Sequence, residues 1–402
     1  MTLPESVEHS EPVKARTPDP HDFLALDDEL DATERAMRDT VRAYATTELL
    51  PHVADWYERA ELPRSIAKEL GALGLLGMQL DGYGCAGLSA TAYGIACREL
   101  EAVDSGLRSF VSVQGCLAMC AIHRWGSAEQ RQEWLPRMAA GEVLGCFGLT
   151  EPESGSDPGS MRTFARRDGG DWVLNGAKAW INNGALADVA VIWAHTEDGV
   201  RAFLVPTGTP GFAAQEITRK LALRASNTAG LTLDEVRVPA SAALPGARGL
   251  KTALSCLNEA RFGIIWGVVG AARTCYASAL DYAVGREQFG RSLASFQLSQ
   301  RKLADMVVDL THAGMTALRL ARLKEAGLLE PTQLSLGKLA NVRAATEVAR
   351  TARSILGANG ITLDYPVMRH MSNLEAVLTV EGTEEVHTLS IGRAVTGVQA
   401  FR

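Results

Sequence analysis

Glu381 closes an apolar run, Val377-Leu-Thr-Val-Glu381, and is followed by Gly382 and by Thr383, which can cap a helix starting at Glu384. Burial disfavours the ionised form of a carboxylate, so a Glu in this setting can reach a pKa useful to a general base. The same residue also suits an acidic helix start with Glu384 and Glu385, where the helix dipole welcomes anions, and the residues alone leave both readings open. A second polar group, Glu101, Arg108 and Ser112, is spaced by seven and four residues. On a continuous helix the three share a face, and both an exposed ion pair and an anion-binding site fit that pattern.

The stretch Cys146-Phe-Gly-Leu-Thr150-Glu-Pro-Glu-Ser-Gly-Ser156-Asp157 combines small residues with hydroxyls. Such a loop can approach a flat polar ring edge or a phosphate closely, and it can equally be an ordinary polar turn. Arg286-Glu-Gln-Phe-Gly290 and Leu356-Gly-Ala-Asn-Gly360 each read as a capped helix end. Gly82-Tyr-Gly-Cys-Ala-Gly87 matches G-x-G-x-x-G, but no strand precedes it, so a flexible turn is expected there and not a dinucleotide site. The H-E-x-x-H, G-x-S-x-G and Walker lysine patterns do not occur, so metalloprotease, α/β-hydrolase and P-loop chemistries lack their usual markers.

These residues must be positioned by a chain of 402 residues, 47% of them hydrophobic, enough for a large core. The net charge of −7 is mild and the basic residues are scattered, which argues against nucleic acid as a partner. The seven cysteines form no Cys-x-x-Cys pair, so neither a disulfide framework nor a metal site is expected, and a reducing compartment fits. No apolar run is expected to reach the roughly 20 residues of a membrane span. Residues 1–22, rich in acidic residues and proline, read as an extended tail that resembles neither a transit peptide nor a signal peptide, so a cytoplasmic location is expected.

From residue 23 to 142 the pattern is helical, with four to six helices; from 143 to 240 it turns to short β-rich runs; from 241 to 402 long helical periodicity returns. One stripe, from Leu303 and Met306 to Ala317 and Ala321, marks a bundle helix. The expected fold is α+β, mainly α: an N-terminal helical domain, a central β domain and a C-terminal helical bundle.

Taken together, Cys146 to Asp157, Trp180-Ile-Asn182, Arg286 to Gly290, Leu356 to Ile361 and Glu381-Gly-Thr383 resemble the acyl-CoA dehydrogenase family, and the order of segments matches that family's plan from about residue 24 onward. Glu99 to Ser109, Leu254 to Arg261 and the tail Gly392 to Phe401 are similar to its glutaryl-CoA branch. The resemblance implies FAD lined by Phe147, Leu149, Thr150, Ser156, Trp180, Ile181 and Asn182. It implies further cofactor contacts from Thr383 and Glu385, and from Arg286, Phe289, Gln297, Leu356, Gly357 and Asn359, largely of a neighbouring subunit in a homotetramer. Glu381 would be the base that takes the α-proton of a thioester. Arg108, tuned by Glu101 and Ser112, would bind a distal carboxylate, with Ser109, Ser156, Asn258, Arg261 and Gly382 also at the acyl-CoA. An electron-transfer flavoprotein would reoxidise the flavin.

Two departures stand out. Val380 stands where many decarboxylating members carry Tyr, and Asn182 stands where the family has Thr. The implied activity is dehydrogenation of glutaryl-CoA or a close dicarboxylyl-CoA, with release of carbon dioxide left open. An oxidase, a dehydrogenase of short-chain, branched or malonyl-type substrates, and a non-catalytic flavin or CoA-binding scaffold are the other readings.

Overall fold

The structure, a computed structural model, describes residues 17–399. A capping box between Asp31 and Glu34 opens α1 (Ala32–Tyr44), which continues through a π turn into α2 (Leu50–Arg59). After α3 (Ile66–Ala72) comes the Gly82–Gly87 turn, and then α4 (Ala90–Val103). Asp104, in extended conformation, separates α4 from α5 (Ser105–Ser112), which runs through a second π turn into α6 (Cys120–Trp125). A second capping box, Ser127 with Gln130, starts α7 (Ala128–Ala139).

The chain then forms strands β1 (Gly145–Gly148), β2 (Phe164–Asp168), β3 (Asp171–Asn182), β4 (Val189–Thr196), β5 (Gly199–Pro206), β6 (Phe212–Glu216), β7 (Thr228–Pro239) and β8 (Ala243–Arg248). The sheet order is β6-β7-β3-β2-β4-β5-β8, with β1 parallel to β4. Phe147, Val191, Trp193 and Leu204 face the N-terminal helices, while Trp172, Phe203, Leu231 and Val236 build the opposite face's core.

A 36-residue helix, α8 (Leu250–Gly285), leaves the sheet and crosses the molecule. A short hairpin with β9 (Glu287–Gln288) and β10 (Arg291–Ser292) follows, and then α9 (Gln297–Glu325), α10 (Pro331–Leu356), α11 (Val367–Val377) and α12 (Glu384–Thr396). From Phe262 to Ala272 helix α8 is apolar and buried all round, as a helix segment enclosed by others must be. Its contact with α4 is close: a Cβ at Gly270 would stand 1.9 Å from the Arg98 carbonyl oxygen. Glu99, buried on α4, locks this contact by accepting from Arg42 and from both terminal nitrogens of Arg273. Burial works against its charge, but the arginines outweigh that and hold its carboxyl far below the usual range.

The mainly α fold with a central β domain is as expected, and the expected strand segments lie within β3, β4, β5 and β7. The short strand β2, the edge strand β6, strand β8 beyond residue 240, and helix α11 were not anticipated. Residues 19–22 are not extended: the Asp22 N–H donates to the Asp19 carbonyl and closes a turn, after which the Asp22 carboxylate accepts from the Leu26 and Asp27 N–H groups. Residues 1–16 of the expected tail and Phe401 lie outside the described residues. Contrary to expectation, the 21 residues Ser105–Trp125 are long and apolar enough by composition to cross a membrane, but they are buried in the core of the fold.

Candidate active site

Glu381 sits in the turn between α11 and α12, where Thr383 caps α12 by accepting from the Val386 N–H. Its φ is +58°, a left-handed conformation that costs a non-glycine residue about 1–2 kcal/mol, and Gly382 follows at +111°. The residue is partly exposed, but its carboxyl oxygen Oε2 is buried without a hydrogen-bond partner. Burial pushes its pKa up, and the cations Arg108, Lys338 and Arg261 pull against that rise. Among the described residues, nothing accepts from the Glu381 N–H. The site therefore presents a raised-pKa carboxylate and a free backbone donor on one residue.

Two cations hold the main chain on either side. Arg261 Nε on α8 donates to the Glu381 carbonyl at 2.8 Å, and its NH1 donates to Asn258 at 3.0 Å. Lys338 Nζ on α10 donates to the Gly382 carbonyl at 2.7 Å. His387 on α12 stands behind Gly382, its Nδ1 3.1 Å from Ser335 Oγ. A side chain at position 382 would strike it, since a Cβ there would lie 2.8 Å from His387 Nε2.

Arg108 is also buried, and its Nε donates to Glu101 Oε2 at 2.7 Å. Burial weighs against the guanidinium charge, but Glu101 and Glu381 outweigh it and hold the pKa above the ordinary value. Its terminal nitrogens donate to no group among the described residues. Neither the continuous helix nor the exposed pair anticipated for these residues is found. The helix breaks at Asp104, whose carboxylate caps α5 through Gly106 and accepts from Arg369 and Asn373 of α11, so the pair is enclosed between helices. Ser112 and Glu101 Oε1 are buried beside it without partners. Gly267 of α8 leaves room for the pair, because a Cβ there would lie 2.0 Å from Glu101 Oε2.

The sheet forms a second wall, tied to α5 through Asn182. Trp180, at φ +60° and 63% exposed, stands at a register shift between β3 and β7. Beside it the Thr150 carbonyl accepts from the Ala179 N–H, and Lys178 Nζ donates to the Leu149 carbonyl. Lys178 also pairs at 2.8 Å with Glu151, which accepts from the Arg162 and Thr163 N–H groups. Asn182 joins this wall to α5, donating to Ser109 at 2.8 Å and accepting from Thr228 at 3.0 Å. Phe147 and Ile181 are buried in the wall, whereas Ser156 is exposed.

The remaining predicted residues are not at this place. Arg286 and Asn359 meet at Tyr282, the first through its N–H and the second through its side-chain amide. Phe289, 94% exposed, tips the hairpin between β9 and β10 nearby in the chain, Gln297 and Gly357 are exposed, and Leu356 is buried at the end of α10. Arg286 lies on the order of 35 Å along α8 from Arg261. Glu385 is exposed on the first turn of α12. Sequence reasoning missed Lys338, His387, Gly267 and the Glu151–Lys178 pair. A lysine among Leu334, Gly337, Asn341 and Val342, all buried on α10, was the available signal for Lys338.

Residues 31–142, 146–236 and 247–396 match the N-terminal, middle and C-terminal domains of acyl-CoA dehydrogenases. The mitochondrial short-chain specific acyl-CoA dehydrogenase of Homo sapiens is 37% identical over 371 residues, covering 90% of each chain. A crystal structure of glutaryl-CoA dehydrogenase from Mycobacterium smegmatis is 60% identical, with a TM-score of 0.95 over 96% of this chain and 100% of its own. Another glutaryl-CoA dehydrogenase structure from that organism, in complex with FADH2, is 58% identical with a TM-score of 0.95 over the same shares.

Proposed function

Because this chain belongs to the acyl-CoA dehydrogenase family, we propose that it removes two hydrogens from the α,β-bond of an acyl-CoA thioester, that its substrate is glutaryl-CoA or a close dicarboxylyl-CoA, and that FAD is its cofactor. The observation that carries the chemistry is the Glu381 carboxyl oxygen, buried, without a partner and opposed by three cations.

The residues present fit a flavin. Trp180 offers an uncovered aromatic face, and the Leu149–Thr150 main chain beside it is tied down through Lys178 and Ala179. Phe147, Leu149, Thr150, Trp180, Ile181 and Asn182 would hold the ring system, with Ser156 and Thr383 at its edges. When bound, FAD supplies the acceptor for the hydride lost from the β-carbon.

The chain's own residues do the rest. A thioester α-hydrogen is too weakly acidic for a carboxylate in water, so charge developing on the carbonyl oxygen must be met by a placed donor, and the free Glu381 N–H is that donor. The Glu381 carboxylate takes the α-proton. Arg108, with its terminal nitrogens uncommitted, binds a distal carboxylate through charge-assisted hydrogen bonds while Glu101 holds its Nε. The 60% identity to a glutaryl-CoA dehydrogenase supports this substrate. A short-chain monocarboxylyl substrate is the second reading, favoured by the match to short-chain enzymes.

Arg286, Phe289, Gln297, Leu356, Gly357 and Asn359, gathered away from Glu381, would complete the cofactor site of a neighbouring subunit in a homotetramer. An electron-transfer flavoprotein would reoxidise the flavin. Anaerobic stopped-flow mixing of the yellow protein with glutaryl-CoA and butyryl-CoA tests the substrate. Faster bleaching with glutaryl-CoA is expected, and bleaching with butyryl-CoA alone contradicts it. Product analysis for crotonyl-CoA against glutaconyl-CoA decides whether carbon dioxide leaves.

A further inference from the structure

The turn that carries Glu381 is conformationally expensive, with two successive residues at positive φ, and it joins α11 to α12 where α8 and α10 also reach it. Neither peptide carbonyl of that turn is left to solvent. That of Glu381 accepts from Arg261 of α8 at 2.8 Å, and that of Gly382 accepts from Lys338 of α10 at 2.7 Å. Lys338 is about 1% exposed and donates to no other group among the described residues. A buried ammonium is a poor structural filler, because removing it from water costs several kcal/mol. What offsets that cost here is a carbonyl at hydrogen-bond distance and a carboxylate nearby.

We infer that Lys338 is a positioning residue for proton abstraction: by holding the Gly382 carbonyl, it fixes the left-handed turn, so that the Glu381 carboxylate keeps its buried, unpartnered position and the Glu381 N–H stays free. The inference rests on the proposed role of Glu381 as the base. Arg261 grips one side of the turn and Lys338 the other, and His387 fills the space behind the glycine that lies between them. The groups facing Lys338 are Glu381 from the turn, Arg261 from α8, Arg108 from α5 and His387 from α12. Burial pulls the ammonium's pKa down, and Glu381 pulls it back toward the charged form. The Lys338 charge in turn favours the ionised base.

The test uses the purified FAD-containing protein and anaerobic stopped-flow bleaching by glutaryl-CoA, in wild type, Lys338→Met, Lys338→Arg and Glu381→Gln. In Lys338→Met the limiting bleaching rate is expected to fall about 10- to 100-fold, the scale of a misplaced reacting group. The substrate concentration at half-maximal rate should change less than about threefold, because Lys338 acts on Glu381 and not on the acyl-CoA. The acid limb of the rate profile should move up by about one pH unit, since a cation beside the base is lost. Lys338→Arg should recover most of the rate. Independently of turnover, the Glu381 carboxyl band, assigned by infrared difference against Glu381→Gln, should titrate higher in Lys338→Met.

An unchanged rate and an unchanged acid limb in Lys338→Met, with wild type bleached and Glu381→Gln not, would overturn the inference while leaving the base in place. Wild type that no thioester bleaches would remove the proposed function and this inference together. If Lys338→Met does not fold, Lys338→Gln, neutral and polar, is read by the same criteria.

Discussion

Arg108 Nε donates to Glu101 Oε2 at 2.7 Å across a helix break, and both side chains are buried. The break makes the pair possible in this form. Asp104 ends α4 and starts α5, and Arg369 and Asn373 of α11 hold its carboxylate, so the acid and the base are brought together from two helices instead of one face. Glu101 secures one edge of the guanidinium and leaves the other two nitrogens for a ligand.

Removing the pair together isolates the role of Arg108. The double variant Glu101→Gln with Arg108→Met strands no buried charge, whereas Arg108→Met alone leaves Glu101 unpaired and should cost about 3–5 kcal/mol of stability. In the double variant kcat/KM for glutaryl-CoA should fall at least about 100-fold, as expected from losing two charge-assisted hydrogen bonds, with butyryl-CoA changed far less. Steady-state kinetics with both substrates checks this, and equal losses would contradict it.

Gly267 supports the same pair without touching substrate. A Cβ there would stand 2.0 Å from Glu101 Oε2 and 3.2 Å from Arg108 Cγ. Gly267→Ala should therefore lower stability by about 1–3 kcal/mol in urea denaturation and reduce the preference for dicarboxylyl substrates.

The pH dependence of Glu381 has opposite signs for activity and stability. Burial raises its folded pKa above the ordinary carboxylate value of 4.5. Only the ionised form takes a proton, so the bleaching rate should rise with pH through this raised pKa, not through 4.5. The same shift contributes stability that is fully present below 4.5 and is lost as pH rises through the folded pKa. Glu381→Gln should accordingly melt higher than wild type at pH 8, and the gap should close in acid; thermal scans across pH check this.

Much of the site was legible in the sequence for a physical reason. An apolar run ending in a carboxylate, then Gly and Thr, allowed both a desolvated acid and an acidic helix start, and the fold buries the Glu381 carboxyl oxygen ahead of a helix capped by Thr383. The Glu101–Arg108 pair was visible as a spacing, but the break at Asp104 carries no proline, and its stabilising partners lie more than 200 residues further along the chain on α11. Lys338 showed only as a lysine among buried positions of α10, and its partner, the Gly382 carbonyl, is a main-chain group that no side chain marks. Strands β2 and β6 are short and have mostly exposed residues, so they carried little alternating signal.

The Glu151–Lys178 pair gives a further acid-side prediction. Burial raises the Glu151 carboxyl's pKa, but main-chain donors and Lys178 outweigh that and lower it to about 2. A depressed carboxylate contributes stability above 4.5 that is lost as pH falls toward 2. Glu151→Gln should thus be destabilised relative to wild type at neutral pH, and the difference should narrow below 4.5. Because the pair anchors the Leu149 carbonyl, the variant should also release FAD more readily, as read by cofactor fluorescence.

The most direct test of the account is anaerobic mixing of Glu381→Gln with glutaryl-CoA beside wild type, following the flavin absorbance. The variant should keep FAD and bleach about 100- to 10,000-fold more slowly, the contribution of a positioned base. Bleaching of the variant at the wild-type rate would contradict the assignment of Glu381 as the group that takes the proton.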